Sequence, residues 1–144
     1  MKLLVLNGPN LNMLGIREPA IYGKQDYPTL VKLLEDTAAR LGAELEVYQS
    51  NHEGDLVDKI QAAYGTKDAI VINPAAYTHT SVAILDALKA VALPAVEVHL
   101  SDVKTRDDFR QISYAGMACE KTVMGRGFQG YVEAMEYLCE KYGK

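Results

Sequence analysis

Glu97 and His99 lie two positions apart in the hydrophobic run Glu97-Val-His-Leu-Ser101. In a β-strand this spacing places both side chains on the same face of the sheet. A carboxylate beside an imidazole fixes its tautomer and favours its charged form. An imidazole held in this way can donate a proton as a general acid near neutral pH. The pattern therefore predicts either a catalytic acid or a structural His–Glu pair beneath a loop.

A long segment, residues 7–23, follows the first hydrophobic run of the chain. It exceeds the roughly two to six residues usual between a strand and a helix. It has neither a GxGxxG nor a Walker pattern, which argues against a loop that cradles nucleotide phosphates. Gly15 and Gly23 would allow movement of a lid that carries Arg17 and Tyr22. The alternative is a surface loop with a local Arg–Tyr stack.

Polar residues also follow the third hydrophobic run, in Asn73-Pro-Ala-Ala-Tyr-Thr-His-Thr-Ser81. The hydroxyl of Thr80 or Ser81 can cap the next helix, and this explains both residues structurally. It does not explain Asn73 or His79, which we expect in a ligand crevice. A helix N-terminus at this position also favours an anion.

The charge of the chain restricts its partners. The formal net charge is −4 with a pI near 5.3, and no cluster of Lys and Arg predicts a nucleic-acid surface. Arg106 and Arg110 are about one helical turn apart. Together with Arg17 they would suit an anionic ligand if they gather on one rim of a site. The alternative is a solvated loop of mixed charge.

Metal, disulfide and membrane sites are not expected. The histidines His52, His79 and His99 show no HxH or HxxxH spacing. Cys119, in a predicted loop, and Cys139, on a predicted helix, are far apart and read as structural thiols. The first hydrophobic run is shorter than a secretory signal needs, and none approaches the ~18 residues of a membrane span. We therefore expect a cytoplasmic protein.

Strands and helices alternate along the predicted chain. Hydrophobic runs predict strands at Leu3–Leu6, Glu44–Gln49, Ala69–Ile72, Ala95–Leu100 and Lys121–Met124. Helical spacing predicts helices over 30–41, 56–64, 82–91 and 131–142, with a short helix near Asp107–Ile112.

This alternation predicts one α/β domain over residues 1–144 with a parallel sheet and right-handed crossovers. We expect a flavodoxin-like three-layer sandwich with strand order 2-1-3-4-5. Such sheets bind ligands beyond the carboxyl ends of their strands, near the switch in strand order. The polar residues after strands one, three and four are therefore the candidates for function.

These motifs, in chain order, resemble the type II 3-dehydroquinate dehydratases. The matching segments are Asn7-Gly-Pro-Asn-Leu-Asn12, Gly15-Ile-Arg-Glu-Pro-Ala-Ile-Tyr-Gly23, Gln49-Ser-Asn-His-Glu-Gly54, Ile72-Asn-Pro-Ala-Ala-Tyr-Thr-His-Thr-Ser81, Val96-Glu-Val-His-Leu-Ser101 and Gly125-Arg-Gly-Phe-Gln-Gly-Tyr131. The resemblance implies a flavodoxin-like catalytic domain that removes water from 3-dehydroquinate in the shikimate pathway, without metal or cofactor. It also implies a homododecamer built as four trimers.

The resemblance assigns catalytic roles. Tyr22 matches the base that takes a proton from the carbon beside the ketone, and Arg17 matches the lid arginine that activates it. Asn10 matches the residue that, with a water, steadies the enolate. His99 matches the acid that protonates the departing hydroxyl, with Glu97 behind it.

Further residues match groups that bind the substrate. Asn73, His79 and Arg110 correspond to residues that hold its hydroxyls and carboxylate. Leu100 and Ser101 correspond to the pair whose backbone N–H groups bind the carboxylate.

Three further positions concern a neighbouring subunit or depart from the family pattern. Asp86 matches a residue contributed by the neighbouring subunit. Ala75 stands where Gly is usual, and Asp102 stands where Asn is usual. We expect the first to tighten the crevice slightly and the second to add negative charge near the carboxylate site. His52 lies in a matching motif but receives no chemical role.

The implied chemistry is physically consistent. A free tyrosine has a pKa of about 10, and a nearby arginine can lower it by roughly one to three units. An enolate forms only if it is stabilised, and hydroxide leaves only if it is protonated. The sequence disfavours two other functions. A flavodoxin-like binding or signalling domain would require a phosphate-binding loop or an Asp after strand one. A serine hydrolase would require a Gly-x-Ser-x-Gly motif. The sequence has none of these features.

Overall fold

The computed structural model describes residues 1–16 and 25–143. Within them a parallel sheet has the order β2-β1-β3-β4-β5. The strands are β1 Lys2–Asn7, β2 Glu44–Gln49, β3 Ala69–Asn73, β4 Ala95–His99 and β5 Lys121–Met124. The α-helices are α1 Tyr27–Leu41, α2 Glu53–Ala63, α3 Val82–Val91 and α4 Gln129–Tyr142. The predicted flavodoxin-like strand order is confirmed.

The sheet separates two hydrophobic layers. Successive side chains of a strand point to opposite faces. Leu3 and Val5 of β1 accordingly pack in a cluster with residues of α1 and α4. Leu4 and Leu6 pack on the other face with residues of α2 and α3. Helices therefore cover both faces, as expected for a three-layer sandwich.

The helix caps follow the sequence signals. The Asp26 side chain accepts a hydrogen bond of 2.9 Å from the Thr29 N–H at the start of α1. Gly42 ends that helix in the left-handed conformation. Of the two candidate caps for α3, Ser81 is the one used, and its hydroxyl accepts from the Ile84 N–H at 2.9 Å.

The loop after β4 differs from the prediction. β4 ends at His99 rather than Leu100, and the predicted helix near Asp107–Ile112 is only the 3-10 turn Asp108–Arg110. The Gln111 N–H donates to the Asp108 carbonyl at 3.1 Å in the 3-10 pattern, and the Gln111 side-chain amide lies within hydrogen-bond distance of the Val103, Arg106 and Asp107 carbonyls. A second 3-10 turn, Val103–Thr105, begins where Asp102 accepts from the Lys104 N–H at 3.0 Å.

Two further observations concern the length and hydrophobicity of the helices and the state of the two cysteines. None of the helices in residues 1–16 and 25–143 is long and hydrophobic enough to cross a membrane. Cys119 and Cys139 are both free thiols.

Ala75 occupies a backbone conformation that favours glycine. It begins the 3-10 turn Ala75–His79 after β3, and its φ is +53°. A residue with a Cβ costs roughly 1–2 kcal/mol in this left-handed region. Asn73 contributes to holding it there, because the Asn73 side-chain oxygen accepts from the Ala75 N–H at 3.1 Å.

We predict that Ala75→Gly stabilises the protein. Relief of the left-handed strain outweighs the greater backbone entropy of glycine, and we expect a gain of about 0.5–1 kcal/mol. Urea denaturation followed by circular dichroism measures the change in free energy of unfolding. Ala76→Gly, in the same turn but without a positive φ, is the matched control and is expected to lose stability. A loss of equal size in both variants would contradict the prediction.

Candidate active site

A cavity of about 210 Å³ opens at the carboxyl ends of β1, β3 and β4. Most of the predicted site residues line it: Asn10, Asn73, His79, His99, Leu100, Ser101 and Arg110. Arg106 and Ala75 also line it. Arg17 and Tyr22, the predicted lid residues, lie outside the described residues.

Glu97 and His99 form the predicted pair on β4. The Glu97 Oε2 and His99 Nε2 atoms are 2.8 Å apart, and both side chains are buried. Glu97 lies beneath His99 and does not line the cavity, whereas His99 does. Because Nε2 faces the carboxylate, Nδ1 is the ring nitrogen that remains for proton exchange with a ligand. The prediction that both residues share one sheet face is confirmed.

Three hydroxyl groups surround the Glu97 carboxylate. Thr78 donates to Oε2 at 2.9 Å, Ser113 also donates to Oε2, and Thr122 donates to Oε1 at 2.8 Å. Burial by itself raises the pKa of Glu97, but the hydrogen bond and charge of His99 and the hydroxyl hydrogen bonds outweigh it and lower that pKa to about 2. The carboxylate therefore stays ionised and holds the imidazole in one orientation.

The backbone amides of Leu100 and Ser101 are oriented by the turn that follows β5. The carbonyl of His99 accepts from the Gly125 N–H at 3.3 Å, and the carbonyl of Leu100 accepts from the Gly127 N–H at 3.0 Å. In a trans peptide the N–H points away from the preceding carbonyl. Both amide hydrogens therefore point away from the turn and are available for an acceptor. The left-handed conformations of Gly125 and Gly127 allow this close turn.

Asn10 lies in a segment that side chains from the end of β2 and the loop after it hold in place. Its N–H donates to the Asn51 Oδ1 at 3.0 Å, and Gln49 donates to the Gly8 carbonyl at 3.1 Å. Tyr77 donates to the Asn51 carbonyl at 2.8 Å, which connects this segment to the turn after β3. The matching motif Gln49–Gly54 therefore positions Asn10.

Two arginines and a histidine form one rim of the cavity. His79 Nδ1 is 2.8 Å from the Ile112 carbonyl, and His79 lines the cavity with Arg106 and Arg110. Burial lowers the pKa of His79, and the charges of His99, Arg110 and Arg106 lower it further. The neutral ring then donates from Nδ1 and leaves Nε2 to accept from a ligand hydroxyl. Such a rim suits an anion that also carries hydroxyl groups.

Asp86, Asp102 and His52 lie outside the cavity lining. Asp86 is exposed on α3, so its predicted contribution to a neighbouring subunit stays a prediction. The Asp102 carboxylate accepts from the Lys104 N–H and caps that turn, and its expected effect on the carboxylate site stays a prediction. His52 occupies the first position before α2 without a capping side chain. Across residues 1–16 and 25–143, no group of three or more His, Cys, Asp and Glu side chains is arranged to hold a metal ion.

Several positioning residues were absent from the sequence prediction. They are Asn7, Thr78, Ser113, Thr122 and Tyr131, all in hydrogen bonds with predicted site residues or with one another. Of these, Asn7, Thr78 and Tyr131 lie inside quoted motifs, which was the available signal. Ser113 and Thr122 lie outside every motif.

Comparisons with known proteins agree on one family. A family model described as Dehydroquinase class II matches residues 1–139. The 3-dehydroquinate dehydratase of Lachnoclostridium phytofermentans is 53% identical over 139 residues, 96% of each chain, and that of Lachnospira eligens is 54% identical over 142 residues, 97% of each chain. The crystal structure of type II dehydroquinase from Butyrivibrio crossotus has a TM-score of 0.94 at 50% identity, covering 96% of this chain and 97% of that one. The type II dehydroquinase of Propionibacterium acnes gives 0.93 at 39% identity, with 96% of both chains covered.

We predict that Glu97→Gln weakens the acid dependence of stability. The folded pKa of Glu97, about 2, lies below its usual 4.5, so its contribution is present above pH 4.5 and is lost as the pH falls towards 2. The shift corresponds to about 3 kcal/mol. Urea titrations between about pH 5 and pH 3 should give a shallower decline in free energy of unfolding for the variant. An unchanged slope would contradict the depressed pKa.

Proposed function

This chain belongs to the class II dehydroquinase family, and on that premise we propose that it is a hydro-lyase that dehydrates 3-dehydroquinate to 3-dehydroshikimate in the shikimate pathway. The observation that carries the proposal is the Glu97–His99 pair, which opens into a cavity rimmed by arginines. The substrate is a carboxylate with several hydroxyl groups, and it matches the charge and donors of that cavity. The test is turnover of 3-dehydroquinate, followed by ultraviolet absorbance of the conjugated enone product.

The reaction begins with loss of a proton from the carbon beside the ketone. Tyr22 is the proposed base, and Arg17 lowers the pKa of its phenol enough to make it basic near neutral pH. Both assignments are supported by the matching segment Gly15–Gly23 alone, since the two residues lie outside the described part of the chain. The electron pair left on carbon moves to the ketone oxygen as an enolate. Asn10, on the cavity wall, stabilises that oxygen through a water.

The second step expels hydroxide with proton donation from His99. The enolate collapses to the ketone, the carbon–oxygen bond breaks, and the Nδ1 proton of His99 goes to the departing oxygen to form water. The Glu97 carboxylate, 2.8 Å from Nε2, stabilises the protonated imidazole that donates it. The base then returns its proton to solvent and His99 takes one up, so the cycle restores both residues and releases one water and one enone.

The substrate carboxylate and hydroxyls are held by two different sets of groups in the cavity. Arg110 and the N–H groups of Leu100 and Ser101 bind the carboxylate, in keeping with the outward direction of those amides. His79 Nε2 and the Asn73 amide bind hydroxyl groups. The two sets together fix the acidic carbon relative to the base.

Assembly and location are part of the proposal. We propose that residues 1–144 act as one catalytic domain in a cytoplasmic homododecamer of four trimers. The exposed position of Asp86 on α3 supports a contribution of that residue to a neighbouring subunit's site. Light scattering of the purified protein measures the particle mass, and a stable monomer with full activity would overturn this part.

We predict that Tyr22→Phe and Arg17→Ala each lower kcat by about a thousandfold or more, because the carbon acid then lacks its base. Both variants should keep the wild-type circular dichroism spectrum. Tyr64→Phe, a change of the same kind at an exposed tyrosine on the far end of α2, is the control and should keep wild-type kcat. A near-normal rate in either lid variant would refute the role given to that residue.

We predict full activity after exhaustive dialysis against a chelator. The proposed steps use side chains, backbone amides and a water molecule but no metal ion, so removal of divalent ions should leave kcat and KM unchanged. The assay compares chelated enzyme with enzyme to which Mg²⁺ or Zn²⁺ has been restored. If turnover is lost on chelation and an added ion restores it, the prediction is wrong and a metal ion takes part in the reaction in place of His99.

A further inference from the structure

Asn7 and Asn73 end two neighbouring strands at the same level. The sheet register pairs them directly, with Asn7 on β1 opposite Asn73 on β3. The hydroxyl of Tyr131, which comes from α4, lies between their side chains. Tyr131 has no exposed surface, and neither it nor Asn7 lines the cavity, whereas Asn73 does.

The hydrogen bonds around Tyr131 have a defined direction. Burial raises the pKa of the Tyr131 phenol well above its usual 10, so the group stays neutral and carries one proton. That proton is donated to the Asn7 Oδ1 at 2.7 Å. The phenol oxygen must then accept from the Asn73 Nδ2, which is 2.9 Å away. Asn7 in turn donates from Nδ2 to the Tyr27 hydroxyl at 3.3 Å, which fixes the orientation of its own amide.

The Asn73 amide is therefore anchored on both sides. Its nitrogen is held by Tyr131 and its oxygen accepts from the Ala75 N–H at 3.1 Å. An amide has two N–H donors and two acceptor sites, so one N–H and one lone pair remain for a ligand. The terminal torsion of an Asn side chain is broad, and a single anchor would leave it free to rotate.

From this geometry we propose that Tyr131 is a positioning residue for Asn73 and that it acts on substrate binding only through that amide. The inference rests on the proposed function, in which Asn73 holds a substrate hydroxyl. The phenol keeps the free N–H and lone pair of Asn73 aligned before the substrate arrives. Binding then does not have to order the amide, and this lowers KM.

A double-mutant cycle tests the coupling. Tyr131→Phe removes only the hydroxyl, and we expect kcat/KM for 3-dehydroquinate to fall about tenfold, mainly through KM. In the Asn73→Ala background the same change should alter kcat/KM by less than about twofold, because the group it positions is gone. A role limited to folding would instead lower the thermal midpoint and leave kcat and KM of the folded enzyme unchanged.

Thr37→Val is the matched control. It also removes a buried hydroxyl, one that donates to the Leu33 carbonyl within α1 at 2.7 Å, far from the cavity lining. It should lose stability and keep wild-type kcat/KM. If Tyr131→Phe does not fold, Asn7→Ala removes the acceptor of the phenol proton and should show the same non-additive loss with Asn73→Ala.

The outcomes distinguish a failure of this inference from a failure of the proposed function. A wild-type enzyme that does not convert 3-dehydroquinate overturns the proposed function. If the wild-type enzyme converts 3-dehydroquinate, two results overturn only the role of Tyr131. One is wild-type kinetics in Tyr131→Phe, and the other is losses that multiply in the double variant.

Discussion

The carboxylate of Glu97 is a buried negative charge, and much of the cavity floor is arranged around it. Burial of an isolated charge is costly, whereas a charge that is hydrogen-bonded and paired with an imidazole is tolerated. Its partners come from three different parts of the chain: Thr78 after β3, Ser113 before β5 and Thr122 on β5. The orientation of His99 therefore depends on the correct placement of all three segments.

The space beside Glu97 is equally restricted. A Cβ on Gly116 would lie 2.7 Å from the Glu97 Oε1, so only glycine lets the turn Ala115–Ala118 approach the carboxylate. The Gly116 N–H donates to the Ser113 hydroxyl at 3.0 Å, and this holds that hydroxyl on the carboxylate. The close approach and the polar contacts support each other, since the Gly116 N–H could not reach the Ser113 hydroxyl from a greater distance.

Local and periodic features were predictable from the sequence. The parallel sheet followed from the alternation of strands and helices, and its strand order from the presence of five strands in so short a chain. The shared face of Glu97 and His99 followed from their spacing. The 3-10 turns after β4 were not predicted, because residue spacing does not reveal side-chain contacts with backbone carbonyls such as those of Gln111. Thr122 and Ser113 were missed for a different reason. A hydroxyl in a sequence has many ordinary explanations, and its partner here is 25 or 16 residues away.

The hydrogen bonds of Tyr131 make the binding site depend on contacts between distant parts of the chain. Asn73 is 58 residues from Tyr131 and Asn7 is 124 residues from it, so these hydrogen bonds connect residues that lie far apart in the sequence. Contacts of such long range form only after most of the loop-closure entropy has been lost. A nascent or truncated chain that holds the whole sheet but lacks the docked C-terminal helix would have a cavity without an aligned Asn73. Alignment of Asn73 in the binding site thus requires the last helix to be docked on the sheet.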